Sequence, residues 1–133
     1  MRLTQTHGSR LPFAVVILAL LLLAIAGCDD ETKRSAAAMT GGDPDRGGRL
    51  IQVYGCGSCH DIPGIRGADG IAGPPLARIA ERTYVGGVIK NNPDNMIRWI
   101  QNPPGIDPLT AMPNLHVTTA DAHDIAGYLY TLR

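Results

Sequence analysis

Cys56-Gly57-Ser58-Cys59-His60 constrains this chain more than any other stretch. Two thiols three positions apart, followed at once by an imidazole, form the pattern by which a c-type haem is attached. The thiols add to the two vinyl groups of one porphyrin, and the next residue presents its ring to the iron from the same face. Covalent attachment also lets a small chain keep a large apolar cofactor that would otherwise dissociate. Two other chemistries use closely spaced cysteines. A structural zinc site wants two further soft ligands, and the third cysteine, Cys28, falls outside the folded part. A redox dithiol sits within a strand-and-helix pattern, which is not visible around the motif. The stretch therefore predicts one covalent haem c, held by Cys56, Cys59 and His60.

The start of the chain reads as a separate segment. Arg2, His7 and Arg10 give it a polar, basic beginning, and sixteen apolar residues follow from Leu11 to Ala26. That is the layout of a secretory signal. At 1.5 Å per residue the apolar run is about 24 Å long, short of the ~30 Å hydrocarbon core of a bilayer. A cleaved signal over residues 1–27 is favoured, with an uncleaved anchor as the alternative. Ile25-Ala26-Gly27-Cys28 resembles the lipobox of bacterial lipoproteins, whose cysteine is acylated and becomes the first mature residue. An ordinary cysteine here would leave a free thiol in an oxidising compartment. Each buried methylene of an acyl chain contributes about 0.8 kcal/mol, so several chains hold a protein firmly on a bilayer. Lipidation at Cys28 predicts attachment to a bacterial cell membrane, facing the periplasm. Asp29 resembles an inner-membrane retention signal.

Once Arg2 and Arg10 are set aside, ten basic side chains stand against twelve acidic ones, and the only lysines are Lys33 and Lys90. That balance excludes a basic face for nucleic acid and a lysine-ringed surface that steers toward acidic partners. Residues 28–42 are polar, small and aperiodic, and are expected to be a lipidated flexible tether. About fourteen such residues span roughly 20 Å, which keeps the domain close to the membrane. The folded domain is expected over 43–133, a single unit at this size.

Within it the signals are helical. Asp43 caps a helix with Pro44 at its first position, and Gly47, Ile51 and Tyr54 share one face. Gly55 ends that helix just before the haem motif. Pro63 and the glycines at 64, 67, 70 and 73 argue for loop, with a short helix over Leu76–Arg82. Asn92-Pro93 opens a second helix carrying Met96, Ile97, Trp99 and Ile100, which stops at Asn102-Pro103-Pro104. Thr118 or Thr119 caps the last helix, striped by Ile125, Tyr128, Leu129 and Leu132. No strand pattern follows the signal. The expectation is an all-α fold of three main helices, one short helix and long loops around the haem, with a thin core that needs the cofactor.

The far side of the iron has four downstream candidates. Met96 sits on a helical core face, and His123 lies off the apolar stripe of the last helix, where solvation is expected. Met112 lies in a loop between prolines, Leu109-Thr110-Ala111-Met112-Pro113. Such a loop can place a thioether over the ring; the alternatives are a gap-filling methionine or ligation by His116 instead.

On these residues the chain over 43–133 resembles class I cytochromes c, including the cytochrome domain fused to subunit II of some bacterial haem–copper oxidases. Gly47 and Ile51 resemble paired positions of that family's first helix, and Tyr128 and Leu129 the last-helix residues that pack across them. Gly73-Pro74-Pro75-Leu76 resembles the segment whose proline carbonyl accepts a hydrogen bond from the proximal histidine. The resemblance thus implies a contact from His60 Nδ1 to Pro74, which would fix the ring's tautomer. Met112-Pro113 matches the family's distal-ligand motif. Trp99 lies where the family places an aromatic residue near the haem, and plain core packing fits it equally. Ile51 stands where many members have phenylalanine, and the scarcity of lysine departs from mitochondrial-type donors.

Histidine–methionine ligation raises a haem's reduction potential and closes the iron to substrates. The expected function is single-electron transfer without catalysis and without a small-molecule substrate. A quinol-oxidising complex, a terminal oxidase or a periplasmic dehydrogenase are the expected redox partners. Two other readings differ in kind: a haem enzyme or gas sensor with a displaceable sixth ligand, and a haem-bearing accessory subunit of an oxidase or dehydrogenase.

Overall fold

The structure, a computed structural model, describes residues 13–133 and, of those, the side chains of 15–17 and 30–133. The basic start expected of the signal, with Arg2, His7 and Arg10, and the side chain of Cys28 lie outside the described residues. The chain divides into two compact units, one ending at Glu31 and the other running from Thr32 to Arg133. Among the described residues no helix is long and apolar enough to cross a membrane.

Helix α1, Phe13–Thr40, continues through most of the segment expected to be a flexible tether. Its last turns belong to the second unit: Ala36 is 0 % exposed and Thr40 is buried. Ser35-Ala36-Ala37-Ala38-Met39 has few aromatic or branched side chains to signal packing, yet alanine is the best helix former. Small side chains also allow close approach. The Thr40 carbonyl accepts a hydrogen bond from His123 Nδ1 at 2.5 Å, so His123, expected to be solvated, is half-buried and ties α5 to the end of α1.

Helix α2, Pro44–Val53, starts where its cap requires: the Asp43 carboxylate accepts from the amides of Asp45 and Arg46. It packs chiefly against α5, Thr119–Leu129, which Thr118 caps through the Asp121 amide. Their approach is close because Gly47 has no side chain; a Cβ there would collide with the carbonyl of Asp124. Ile51, Ile125, Ala126 and Leu129 form the buried centre of the crossing. At about 1.5–3 kcal/mol per buried aliphatic side chain, this contact anchors the domain.

An acidic pair on α5 clips the same crossing. Arg46 bonds Asp124 through Nη1 and Asp121 through Nη2, while Tyr54 Oη donates to Asp121 Oδ2 at 2.7 Å. The Asp43 amide donates to Asp124 Oδ1 at 2.6 Å. Asp124 is thus a buried polar residue with every oxygen engaged, as burial of a charge demands.

The remaining elements form the wall facing that crossing. A 3₁₀ turn over Cys56–Ser58 carries the first cysteine, and a second occupies Ile79–Glu81, only part of the helix expected over Leu76–Arg82. Strands β1, Tyr84–Val85, and β2, Ile89–Lys90, pair antiparallel with Tyr84 opposite Lys90. Two-residue strands leave no alternating pattern, so this hairpin was not expected. Its turn depends on Gly86 and Gly87, both at positive φ (58° and 77°), a conformation open to glycine at little cost. Helix α3, Pro93–Gln101, is capped by the Asn92 side chain through the Asn95 amide. The prolines end it as expected, but Pro103 then opens a further turn, α4, Pro103–Ile106. A proline tolerated at a first helical position allows that restart.

Candidate functional site

The Cys56–His60 motif lies on a tight turn directly after α2. The amides of Cys59 and His60 both donate to the Cys56 carbonyl, at 3.2 and 3.1 Å. Both thiols and the imidazole therefore belong to one rigid piece of backbone, joined to α2 through Gly55. Farther along, the Gly73 amide donates to the Cys59 carbonyl at 2.7 Å, which folds the 70–76 segment back onto the motif.

That return fixes the histidine. His60 Nδ1 lies 2.8 Å from the carbonyl oxygen of Pro74. A carbonyl only accepts, so Nδ1 carries the hydrogen and Nε2 is the nitrogen left for a metal. Gly73 makes room for the ring: a Cβ there would lie 2.5 Å from His60 Cε1 and 2.7 Å from Nδ1. Sequence reading took Gly73 for loop punctuation, and nothing but its place before Pro74-Pro75 signals the closer role.

Cys56, Cys59, His60, Pro74, Trp99 and Met112 all line one cavity of about 660 Å³. The chain brings them from four separate segments spread over 57 sequence positions. Met112 reaches it from the loop after α4, where its amide is tied to Thr110 Oγ1 at 3.2 Å. Asn102 steadies that loop, since its Oδ1 accepts from Asn114 Nδ2 at 3.2 Å. Trp99 is 7 % exposed; it packs in the core and also lines the cavity. It closes on Gly86, where a Cβ would overlap the indole. Met96 also contributes to the lining while buried among core residues. His116 does not line the cavity; it is exposed and sits in a left-handed turn at φ 56°.

Sequence reading missed the wall formed by the second 3₁₀ turn and the hairpin. Asn91 Nδ2 donates to the carbonyls of Ile79 at 2.7 Å and Arg82 at 2.9 Å, and Tyr130 Oη donates to Asn91 Oδ1 at 2.8 Å. This clasp holds Ile79, Arg82, Tyr84 and Val85 along the cavity. No periodicity marks such a set, because its members come from a single 3₁₀ turn, a two-residue strand and the backbone between them.

The residues present suit a covalently attached haem. The cavity falls within the ~300–1,000 Å³ of cofactor sites, and aliphatic side chains and Trp99 dominate its walls. Two thiols, an imidazole with Nε2 available and a thioether are the donors at hand. Burial pushes the Cys56 thiol up from its ordinary value, with a smaller contribution from neighbouring Cys59. Reactive dithiols show the opposite shift. Among the described residues, no group of three or more His, Cys, Asp or Glu side chains is placed to hold a bare metal ion.

No family model matches the chain, and no solved structure matches it. It is similar to cytochrome c oxidase subunit 2 of Alkalihalophilus pseudofirmus, 27 % identical over 90 residues, which is 67 % of this chain and 25 % of that protein. It is likewise similar to cytochrome c oxidase subunit 2 of Bacillus subtilis, 32 % identical over 87 residues, 64 % of this chain and 24 % of that one. The chain thus spans about a quarter of the length of the curated relatives it matches, and its similarity to cytochrome c oxidase subunit 2 is distant.

Proposed function

We propose that this chain is a membrane-tethered, class I-like cytochrome c that passes single electrons between respiratory partners. One observation carries the reading: the Cys56-to-His60 motif and Met112 line the same apolar cavity although 52 positions separate His60 from Met112. Cys56 and Cys59 would hold one haem covalently, and His60 Nε2 and the Met112 thioether would bind its iron. Similarity to an oxidase subunit supports a role related to respiratory electron transfer.

A haem bound there would supply a one-electron iron couple. The chain's own residues set its conditions. Pro74 holds the His60 tautomer and strengthens the ring as a donor. The aliphatic walls and Trp99 exclude water, which favours the less charged ferrous state and raises the potential. Met112, when ligated, leaves no open position for a substrate, so the protein acts as a carrier and not as an enzyme. Acylation at Cys28 would keep it on the periplasmic side of a bacterial membrane, beside a quinol-oxidising complex, a terminal oxidase or a periplasmic dehydrogenase.

Spectroscopy of the purified protein tests this directly. A haemochrome spectrum should show one haem per chain attached through two thioethers, and the reduced protein should bind carbon monoxide slowly or not at all at neutral pH. Rapid carbon monoxide binding by the wild type would replace the carrier with a sensor or a haem enzyme.

A further inference from the structure

Helix α1 ends at a built cap. Gly41, at φ 70°, donates its amide to the Ala37 carbonyl at 2.8 Å, so a left-handed glycine closes the last turn. The turn that follows is pressed onto α5. A Cβ on Gly42 would collide with the His123 carbonyl, and one on Gly127 would lie 3.2 Å from Thr40 Oγ1. Ala36 packs into the core cluster, and His123 Nδ1 donates to the Thr40 carbonyl. Lys33 also meets Asp45 at 2.6 Å, but both side chains are largely exposed, so packing matters more than this ion pair. Residues 32–40 thus belong to the folded unit that starts at Thr32.

That membership changes the reach of an anchor at Cys28. A tether running to Asp43 could extend to roughly 50 Å, at ~3.3–3.6 Å per residue. With residues 32–40 docked, only Asp29, Asp30 and Glu31 separate Cys28 from Thr32. The same geometry then allows at most about 14 Å. A shorter leash confines the domain to a thinner layer, which raises its effective concentration toward partners in the same bilayer.

We propose that residues 32–40 act as a strap that holds the cavity-bearing unit within about 14 Å of its lipid anchor. Release of the strap lengthens the tether roughly threefold. The inference rests on acylation at Cys28 in the reading above and adds the device that sets the carrier's reach.

The strap carries its own protease sites. Lys33 and Arg34 are basic, whereas Asp29, Asp30 and Glu31 are acidic, so trypsin must cut inside the docked helix to free the domain. The test places the full haem-loaded, acylated chain on phosphatidylcholine vesicles and follows, by mass, the domain that trypsin releases. Wild type should be released slowly. Ala36→Asp and His123→Ala lie on opposite sides of the contact. Each should be released roughly tenfold faster, as fragments beginning at Arg34 or Ser35, with an unchanged haem spectrum. Without trypsin, the haem of both variants should quench a headgroup-labelled lipid less than wild type does. A Gly-Ser spacer inserted between Glu31 and Thr32 should weaken quenching in the same way and leave the contact intact. Wild type cut as fast as the variants, or release unaltered by both substitutions, would overturn the strap. Faster release with undiminished quenching would overturn its control of reach. Failure of the anchor would show separately, as a wild type that does not float with the vesicles, and failure of the carrier as rapid carbon monoxide binding.

Discussion

His60 donates its Nδ1 hydrogen to the carbonyl of Pro74 at 2.8 Å, across a gap that Gly73 keeps open. Gly73→Ala would place a methyl group 2.5 Å from Cε1 of the ring. Overpacking of this kind costs about 1–3 kcal/mol, and the ring is the group free to move. The variant should unfold at lower denaturant and show a shifted, heterogeneous haem spectrum. An unchanged spectrum would mean that the ring's position is not held by this contact.

Replacing both cysteines, Cys56→Ala with Cys59→Ala, should abolish stable haem incorporation and leave the domain largely unfolded. Intact mass and circular dichroism of the purified chain read both effects. A folded, haem-loaded double variant would contradict covalent attachment.

Asp121 gives the fold an acid sensitivity. Its carboxyl is held below its ordinary value, first by the hydrogen bond from Tyr54, then by that from Thr118, with Arg46 adding to both. Folding stabilises the charged form, so this contribution is present above the ordinary carboxylate value of 3.8 and is lost as pH falls through the lower folded value. Asp121→Asn should therefore be less stable than wild type at neutral pH, and the two should converge in acid. Urea unfolding across that range decides it; a constant difference would show that the hydrogen bonds, and not the charge, matter.

Ala36 is fully buried although it lies in a run that reads as linker. Ala36→Asp would bury an unpaired carboxylate, costing on the order of 1–3 kcal/mol. Amides of residues 32–40 should then exchange faster with solvent, and the haem spectrum should not change. Unaltered exchange would show that this end of α1 is not held by packing.

Cys28→Ser should release the protein from membranes if acylation is its anchor. Ultracentrifugation of lysed cells separates the outcomes, and a variant that still sediments with membranes favours an uncleaved N-terminal segment.

Much of this was legible because it is local. Asp43 and Asn92 bond the amides of their own first turns, so caps and the prolines beside them locate α2 and α3 without knowledge of any neighbour. The stripe of Ile125 and Leu129 marks the buried face of α5 in the same way. The hairpin at Tyr84–Lys90 was not legible, since two-residue strands are too short for a period to register. The docked end of α1 was hidden as well, because alanine serves flexible linkers and tight helix contacts alike.

The sequence by itself determined which chemistry is on offer: paired thiols beside an imidazole, and a methionine held between prolines. It also excluded a lysine-ringed surface, because only two lysines exist to form one. Only the tertiary structure decided that these donors share a cavity. The His60–Pro74 bond, the Asn91 clasp and the Gly86–Trp99 contact each join residues at least nine positions apart. Such contacts depend on how packed elements bring distant backbone together, and spacing along the chain carries no record of that.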